Sequence, residues 1–411
     1  MKNYVSTLIA IALFAGGCSD QRDTSQSESA ASFQKDLQLK LINAKAGDVI
    51  KIPAGVHEIN RSLSLNVSGV TIRGEGMDKS VLSFKNQVQG AEGLLVNASD
   101  FTIEDLAIED TAGDGLKINE GKNVVIRRVR TEWTNGPDED NGAYGIYPVQ
   151  IENVLLEECV AIAASDAGIY VGQSRNVIIR NNRAEYNVAG FEIENTVGAD
   201  VYGNIAKNNT GGILVFNMPD LPQEGHSTRV YQNQVIANNT DNFGAEGTPV
   251  ASVPAGSGIV INSNDKVEIF DNDIADNNTA NIIISSYYST GFQGTRDVAE
   301  HYDPYPETIY VYGNRFSGGG ESPDGIELKA LKVALFGLTG SFPDVLWDGF
   351  VNSEKTDANG HLKAEYAICV DDPHAEVLNA DLANDSENIT TDSTQHRCQH
   401  EKIAPVNLTT I

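Results

Sequence analysis

Short runs in which apolar and polar residues alternate recur along most of the chain, and the clearest copy is Gly168 to Asn187, GIYVGQSRNVIIRNNRAEYN. Alternation with a period of two marks a strand buried on one face. The segment therefore predicts a strand at Ile169–Val171, a polar corner at Gln173–Asn176 and a second strand at Val177–Arg180. An Asn pair and a third short strand follow, ending at Asn187. Aligned on the second strand, Ile103, Ile126, Leu156, Ile179, Val201, Val230, Ile269 and Val311 take one position, with separations of 23, 30, 23, 22, 29, 39 and 42 residues. A minimum spacing of 22–23 is one turn of a three-stranded coil, and the longer intervals add loops. The first strand repeats independently, as Gly115-Leu-Lys-Ile, Gly145-Ile-Tyr-Pro, Gly190-Phe-Glu-Ile, Gly212-Ile-Leu-Val and Gly258-Ile-Val-Ile. Two agreeing registers predict stacked coils.

Stacking converts positions into columns, with neighbours about 4.8 Å apart. Three residues after the anchor come Leu106, Val129 and Cys159, then Asn182, Asn204, Asn233, Asn272 and Asn314. The later members predict an asparagine ladder whose amides bond along the stack. Asn187, Asn209, Asn238 and Asn277 predict a second. Cys159 reads as a buried column member. Directly after the anchor the column is Glu104, Arg127, Glu157, Arg180, then Tyr202, Tyr231, Phe270, Tyr312. Alternating charge followed by aromatics suits an exposed parallel stack, so Arg127 and Arg180 are expected to neutralise their neighbours.

GVTIRGEG (Gly69–Gly76), GIYVGQSRNVIIRNN and GGILVFN resemble the right-handed parallel β-helix of the pectin-lyase-like type. NGAYGIYPVQIENVLLE (Asn141–Glu157), YNVAGFEIEN and YDPYPE (Tyr302–Glu307) resemble, more closely, bacterial exported or lipid-anchored parallel β-helix repeat proteins. The resemblance covers about residues 40–411 and implies an all-β solenoid of about nine or ten coils. It leaves activity open, because this fold hosts many chemistries.

Phe33, Leu37, Leu41 and Ala44 have helical spacing and predict an N-terminal cap helix over the first coil. Residues 1–18 read as a signal peptide with Lys2, an apolar run from Val5 to Ala15 and Ala15-Gly16-Gly17-Cys18. A cysteine after small residues resembles a lipoprotein signal, which implies lipidation of Cys18 and attachment to the bacterial outer membrane. Residues 19–32 predict a flexible tether. The β-helix with its cap helix is expected at 33–326 and a C-terminal cap module at 327–411, where the repeat fades. In an exported chain Cys369 and Cys398 can pair, closing a loop of about 30 residues and contributing about 3 kcal/mol. A net charge of −28 excludes nucleic acid as partner and disfavours polyanions unless a cation intervenes.

Polysaccharide-active β-helices place their groove on the outer face of such strands. Here the outward side chains are Lys117, Tyr147, Tyr170 and Glu192, followed by Leu214 and Val260. The next outward column is Asn119, Gln150 or Val149, Gly172, Glu194, Phe216 and Asn262. Lys117, Tyr147, Tyr170 and Glu192 are the candidate catalytic groups, since elimination or epimerisation needs a Lys or Tyr base and hydrolysis needs paired carboxylates. Asn119, Gln150, Gln173, Glu194 and His226 are the candidate sugar-binding groups, His226 lying in an insertion at Asn217–Thr228. Asp114, Asp138, Asp140 and Asp166 are candidate Ca²⁺ ligands, because the 134–143 insertion is expected to approach the first strand. The Gly-His-Gly and Arg-x-Lys motifs of polygalacturonase-like β-helices are absent from the sequence. Asp372-Pro373-His374 echoes a motif of alginate epimerases but lies in the tail and reads as a turn. The competing expectation is a non-enzymatic scaffold docking another envelope protein on its long face.

Overall fold

The computed structural model describes residues 32–290 and 302–408. The expected signal peptide, Cys18 and nearly all of the tether lie outside the described residues. The chain winds through three parallel sheets; most coils give each sheet its own short strand, while Leu116–Glu132 runs unbroken through all three. The opening coil comprises Val49–Lys51, Gly55–Glu58 and Arg61–Leu65. The eight anchors of the sequence repeat stand directly over one another in what is here called the second sheet, Ile103 on Ile126 through to Ile269 on Val311. All are fully buried, so a single apolar column runs along the axis.

The polar columns satisfy themselves along the stack. Asn182 Nδ2 donates to Asn204 Oδ1 at 3.0 Å, and the relay continues through Asn233, Asn272 and Asn314. Asp372 ends it, its carboxylate accepting from the backbone N–H and the amide of Asn314 at 3.1 Å each. A second relay links Asn187, Asn209, Asn238, Asn277 and Asn281. On the outside of the second sheet Glu157 is held between Arg127 and Arg180. Beyond them the rings of Tyr202, Tyr231, Phe270 and Tyr312 stack at centroid spacings of 4.8, 4.7 and 5.0 Å. Cys159 is buried and free, and desolvation pushes its thiol up to about 12.

The helix over residues 32–42 buries Leu37 and Leu41 on the first coil, and Phe33 stacks on His57 with centroids 3.9 Å apart. Stacking also runs past residue 326. After the helix Ile326–Phe336, the strand Val345–Trp347 pairs with Ala280–Ser285, Ile368–Val370 with Glu307–Tyr312, and Val377–Asn379 with Val345–Trp347. The segment expected as a cap therefore also extends two of the sheets, giving eleven strands in the first, from Arg61–Leu65 to Val377–Asn379. A disulfide joins Cys369 to Cys398, with Cα atoms 4.9 Å apart.

Candidate functional site

The outer face of the first sheet is built by register. Lys117 stands beside Tyr147, Tyr170 beside Glu192, Glu192 beside Leu214 and Leu214 beside Val260. The adjacent outward column runs Asn119, Val149, Gly172, Glu194, Phe216, Asn262. The face is thus polar over its early rungs and apolar over its later ones.

Three tyrosines organise the polar half. The rings of Tyr144, Tyr147 and Tyr170 touch pairwise at centroid distances of 4.4, 4.8 and 4.7 Å. Lys117 Nζ lies 4.6 Å from the centre of the Tyr147 ring and 3.3 Å from Asp114 Oδ2. Tyr170 donates its hydroxyl to Glu194 Oε2, and Gln173 Nε2 donates to both, at 2.9 Å to the hydroxyl and 3.2 Å to the carboxylate. Gly172 makes this possible, since a Cβ there would collide with the Tyr170 ring.

Beneath this rim lie Asp166 and Glu192, 7% and 3% exposed. They meet carboxyl to carboxyl, and Tyr144 also bonds to Asp166. Asp166 Oδ1 and Glu192 Oε2 are buried with no hydrogen-bond partner among the described residues. Burial, reinforced by the charge of Glu194, holds the Asp166 carboxyl up to about 8. Burial and the charges of Asp166 and Glu194 hold Glu192 well above the usual carboxylate range. Burial also raises Glu194, against the Tyr170 hydrogen bond, and raises Asp114, against Lys117. Two carboxylates in contact without a cation cannot both ionise, so the pair retains a proton at neutral pH. Tyr147 is pushed up to about 12 by burial and the surrounding acids, and Tyr144 and Tyr170 are raised further.

Of the residues singled out in the sequence, Lys117, Tyr147, Tyr170, Glu192, Glu194, Gln173, Asp114 and Asp166 come together. Asn119 occupies the early end of the face, half-buried. Others do not join it. Gln150 is exposed with φ at 58°, turned out at the corner while Val149 takes the column position. His226 begins a strand of the second sheet, in register with Val197 and Asp265, and bonds to Ser227 Oγ at 2.8 Å. Its insertion is instead stapled to the corner before it by Gln223, whose amide reaches Ser174 O and Asn195 O. Asp138 and Asp140 are exposed, and the Asp138 carboxylate accepts the Asp140 N–H at 3.0 Å. The four expected Ca²⁺ ligands therefore do not converge. Among the described residues, the carboxylates with oxygens all within 4.8 Å of one another are Asp265, Asp303 and Glu307. Lys355 binds two of these, Asp303 at 2.7 Å and Glu307, so an ammonium group already sits in that cluster.

Two features of the face escaped sequence reasoning. Tyr144 touches both other tyrosines, yet it lies in the corner before the strand, outside the outward alternation. The insertion between Ile236 and Ser257 folds over the face, with Val253 packed on Leu214 and Phe216. It roofs a cavity of about 180 Å³ lined by Phe216, Val253, Val260, Ile283, Leu331 and Leu346. The 39-residue interval signalled an insertion but not where it would fold.

The chain belongs to the right-handed β-helix family. The sequence model of that family, a right handed beta helix region, matches residues 55–222 and 140–297, together more than half of the 411 residues. No curated protein sequence matches. Among solved structures, the mannuronan C-5 epimerase A-module of Azotobacter vinelandii is 17% identical over 78% of this chain and 86% of its own, with a TM-score of 0.46. A PL6 alginate lyase solved with a trisaccharide is 14% identical over 80% and 78%, at 0.42. The DFA-IIIase of Arthrobacter chlorophenolicus A6, solved with DFA-III, is 12% identical over 78% and 88%, also at 0.42.

Proposed function

We propose that this protein binds polysaccharide on the outer face of the first sheet and acts on it by carboxyl acid–base chemistry. The observation that carries this reading is the Asp166–Glu192 pair: two buried carboxyls in contact, with no cation beside them among the described residues, under a rim of tyrosines. On the second sheet the same scaffold sets Arg beside buried acid, as around Glu157. Perturbed acids beside a specific charged neighbour support a working site. Asp166, protonated at neutral pH, is suited to donate a proton to a leaving oxygen. Glu194, two residues along the same strand from Glu192, supplies a further carboxyl on this face for the second role that glycoside hydrolysis requires.

Proton abstraction from a uronate has less support. Lys117 is committed to Asp114, and Tyr147 and Tyr170 are raised above the ordinary tyrosine range, which makes them weaker donors of a free base form. The acids that raise them would also repel a polyuronate. Screening the wild-type protein on a broad glycan array, then measuring released reducing ends, tests the reading; Glu192→Gln and Asp166→Asn should abolish release while remaining at least as stable as wild type at pH 8. A wild-type protein that binds no glycan overturns it.

We also propose export and lipid anchoring at Cys18, which places this face outside the cytoplasm. Metabolic labelling with a fatty-acid analogue, lost in Cys18→Ser, tests the anchor.

A further inference from the structure

Along the outward column of the first sheet the side chains change from acid to hydrocarbon. Glu192 stands beside Leu214, Leu214 beside Val260, Val260 beside Ile283 and Ile283 beside Leu346. Val260, Ile283 and Leu346 form the floor of the cavity of about 180 Å³, Val253 lies over it, and Leu328 and Leu331 of the helix Ile326–Phe336 close one side. From this we infer that the cavity is a binding site for the aliphatic chain of an amphiphile, the polar head of which stays outside at Leu382. The site is separate from the Asp166–Glu192 pair and does not rest on the polysaccharide reading.

The polar atoms of the wall are already engaged. Asn262 donates its amide to Ser285 Oγ and to Ser286 O at 3.0 Å each, and Ser285 donates to Ile261 O at 3.2 Å. Ser289 donates to Ser286 O, Thr290 to Tyr287 O and Ser252 to Pro249 O. The Asp348 carboxylate accepts the N–H groups of Ser286 at 2.6 Å and of Phe350 at 3.1 Å, and burial raises it, which disfavours its charged form. A polar ligand group placed here would give up its water for partners that are taken, at a cost in free energy. A hydrocarbon chain gives up no hydrogen bond and gains dispersion contacts with the Val, Ile and Leu side chains.

Size sets the length of the chain. Packed interiors leave few voids larger than one water, and an apolar cavity of about 150 Å³ lined by Leu, Ile and Phe takes up benzene. This cavity is slightly larger, which corresponds to a chain of about six to eight carbons. The entrance argues for an amphiphile. Leu382 lines the cavity yet is 42% exposed. The helix that closes it is apolar on both sides: Leu328 and Leu331 pack inward, while Ile326 is 86% exposed and Leu338, just past its end, 83%. A helix apolar all round is ordinarily buried, and contiguous apolar surface left in water marks an interaction site. The same helix therefore offers apolar surface to hydrocarbon that extends beyond the cavity.

Calorimetric titration of the full chain with 1-butanol, 1-hexanol, 1-octanol and 1-decanol tests the site. Affinity should rise about fourfold per methylene, at one site per chain and with a negative heat-capacity change, and level off between hexanol and decanol as the cavity fills. Val260→Phe, which fills the floor, should weaken octanol binding at least tenfold at an unchanged melting temperature. Ile326→Ser combined with Leu338→Ser, on the outer side, should leave it within about twofold, as the hydrocarbon buried in the cavity is unchanged. If Val260→Phe folds poorly, the levelling-off in the wild-type chain decides. Octanol binding that is lost in the outer-side variant and kept in Val260→Phe overturns the inference, as does affinity that climbs without levelling off, or the absence of saturable binding. Phosphatidylcholine vesicles then separate the sources of the chain. Cosedimentation competed by octanol assigns it to a bilayer lipid, and octanol binding without cosedimentation assigns it to a dispersed amphiphile; both support the cavity as the site.

Discussion

Tyr170 lies flat over Gly172, two residues further along its own strand, and its hydroxyl thereby reaches Glu194 on the next coil. An alternating strand points both residues outward, so a side chain at 172 would occupy the space that the ring fills. Gly172→Ala should therefore cost about 1–3 kcal/mol, as overpacking does, and should free Glu194 from its donor. In a Tyr170→Ala background the same substitution should cost a few tenths of a kcal/mol, a coupling that a double-mutant cycle in urea measures. Additive effects would mean that the ring does not depend on the glycine.

The asparagine relay ends on a residue of different chemistry. Asp372 takes the position of a further asparagine and accepts both N–H groups of Asn314. Asp372→Ala leaves two donors orphaned, at a cost of about 2–3 kcal/mol. Asp372→Asn retains one acceptor oxygen and should cost less than about 1 kcal/mol. Because coils contact only their neighbours, the loss should be local. Hydrogen exchange should quicken around Asn314 and Asn272 while the protection of Asn182 is unchanged.

The sequence repeat made the solenoid legible because each coil repeats the same physical requirement: an apolar anchor inward, an amide at the bend, a strand in between. Eight anchors and both outward columns could be aligned before any coordinates. What the repeat does not encode is where its interruptions fold. Asp138 and Asp140 are expected beside the first strand because their insertion is expected to approach it, yet both are exposed and the Asp138 carboxylate accepts the Asp140 N–H within the loop. His226 is expected among the sugar-binding groups because it lies in an insertion, but it already belongs to the following strand. Tyr144 and the 236–257 insertion act across several coils, and contacts of that range have no signature in a period of 22 residues. Asp372 was legible as a turn and not as a ladder terminus, since its 58-residue distance from Asn314 fits no repeat interval.

The cysteines divide into one group that chemistry should reach and one it should not. Cys159 is fully enclosed, and its thiol is pushed up to about 12 by burial. Only the thiolate reacts readily, so a maleimide should leave native protein unlabelled at pH 7.5 and modify one site per chain, apart from Cys18, after unfolding in denaturant. Reduction of Cys369–Cys398 should lower the stability of the last coils by roughly 3 kcal/mol in the loop-entropy account. Urea unfolding with and without reductant, followed by exchange at Ile368 and Val370, reads this directly. Rapid labelling of Cys159 in native protein would indicate that the coil around it opens.

The buried acids also fix a pH dependence whose sign differs from that of most proteins. Asp166 and Asp265 are each raised from an ordinary 3.8 to about 8 in the folded chain, chiefly by burial. Between those values the folded state holds protons that the unfolded state has lost, so their contribution to stability declines as pH rises through the window. Two histidines act the other way. His226 and His396 are held below their usual value by burial, and their contribution is lost as pH falls through 6.5 and below. Asp105, lowered by its bond to Arg128, and Glu157, lowered by Arg180 and Arg127 against burial, matter only in the acid range. From pH 6.5 to 8 the raised carboxyls therefore act with little opposition, and the melting temperature should fall across that interval. Asp166→Asn removes one of the titrating groups while keeping its shape, so it should flatten the fall and leave the protein more stable than wild type at pH 8. A slope identical in the two proteins would show that Asp166 is ionised throughout, and with it would go the protonated dyad on which the proposed chemistry depends.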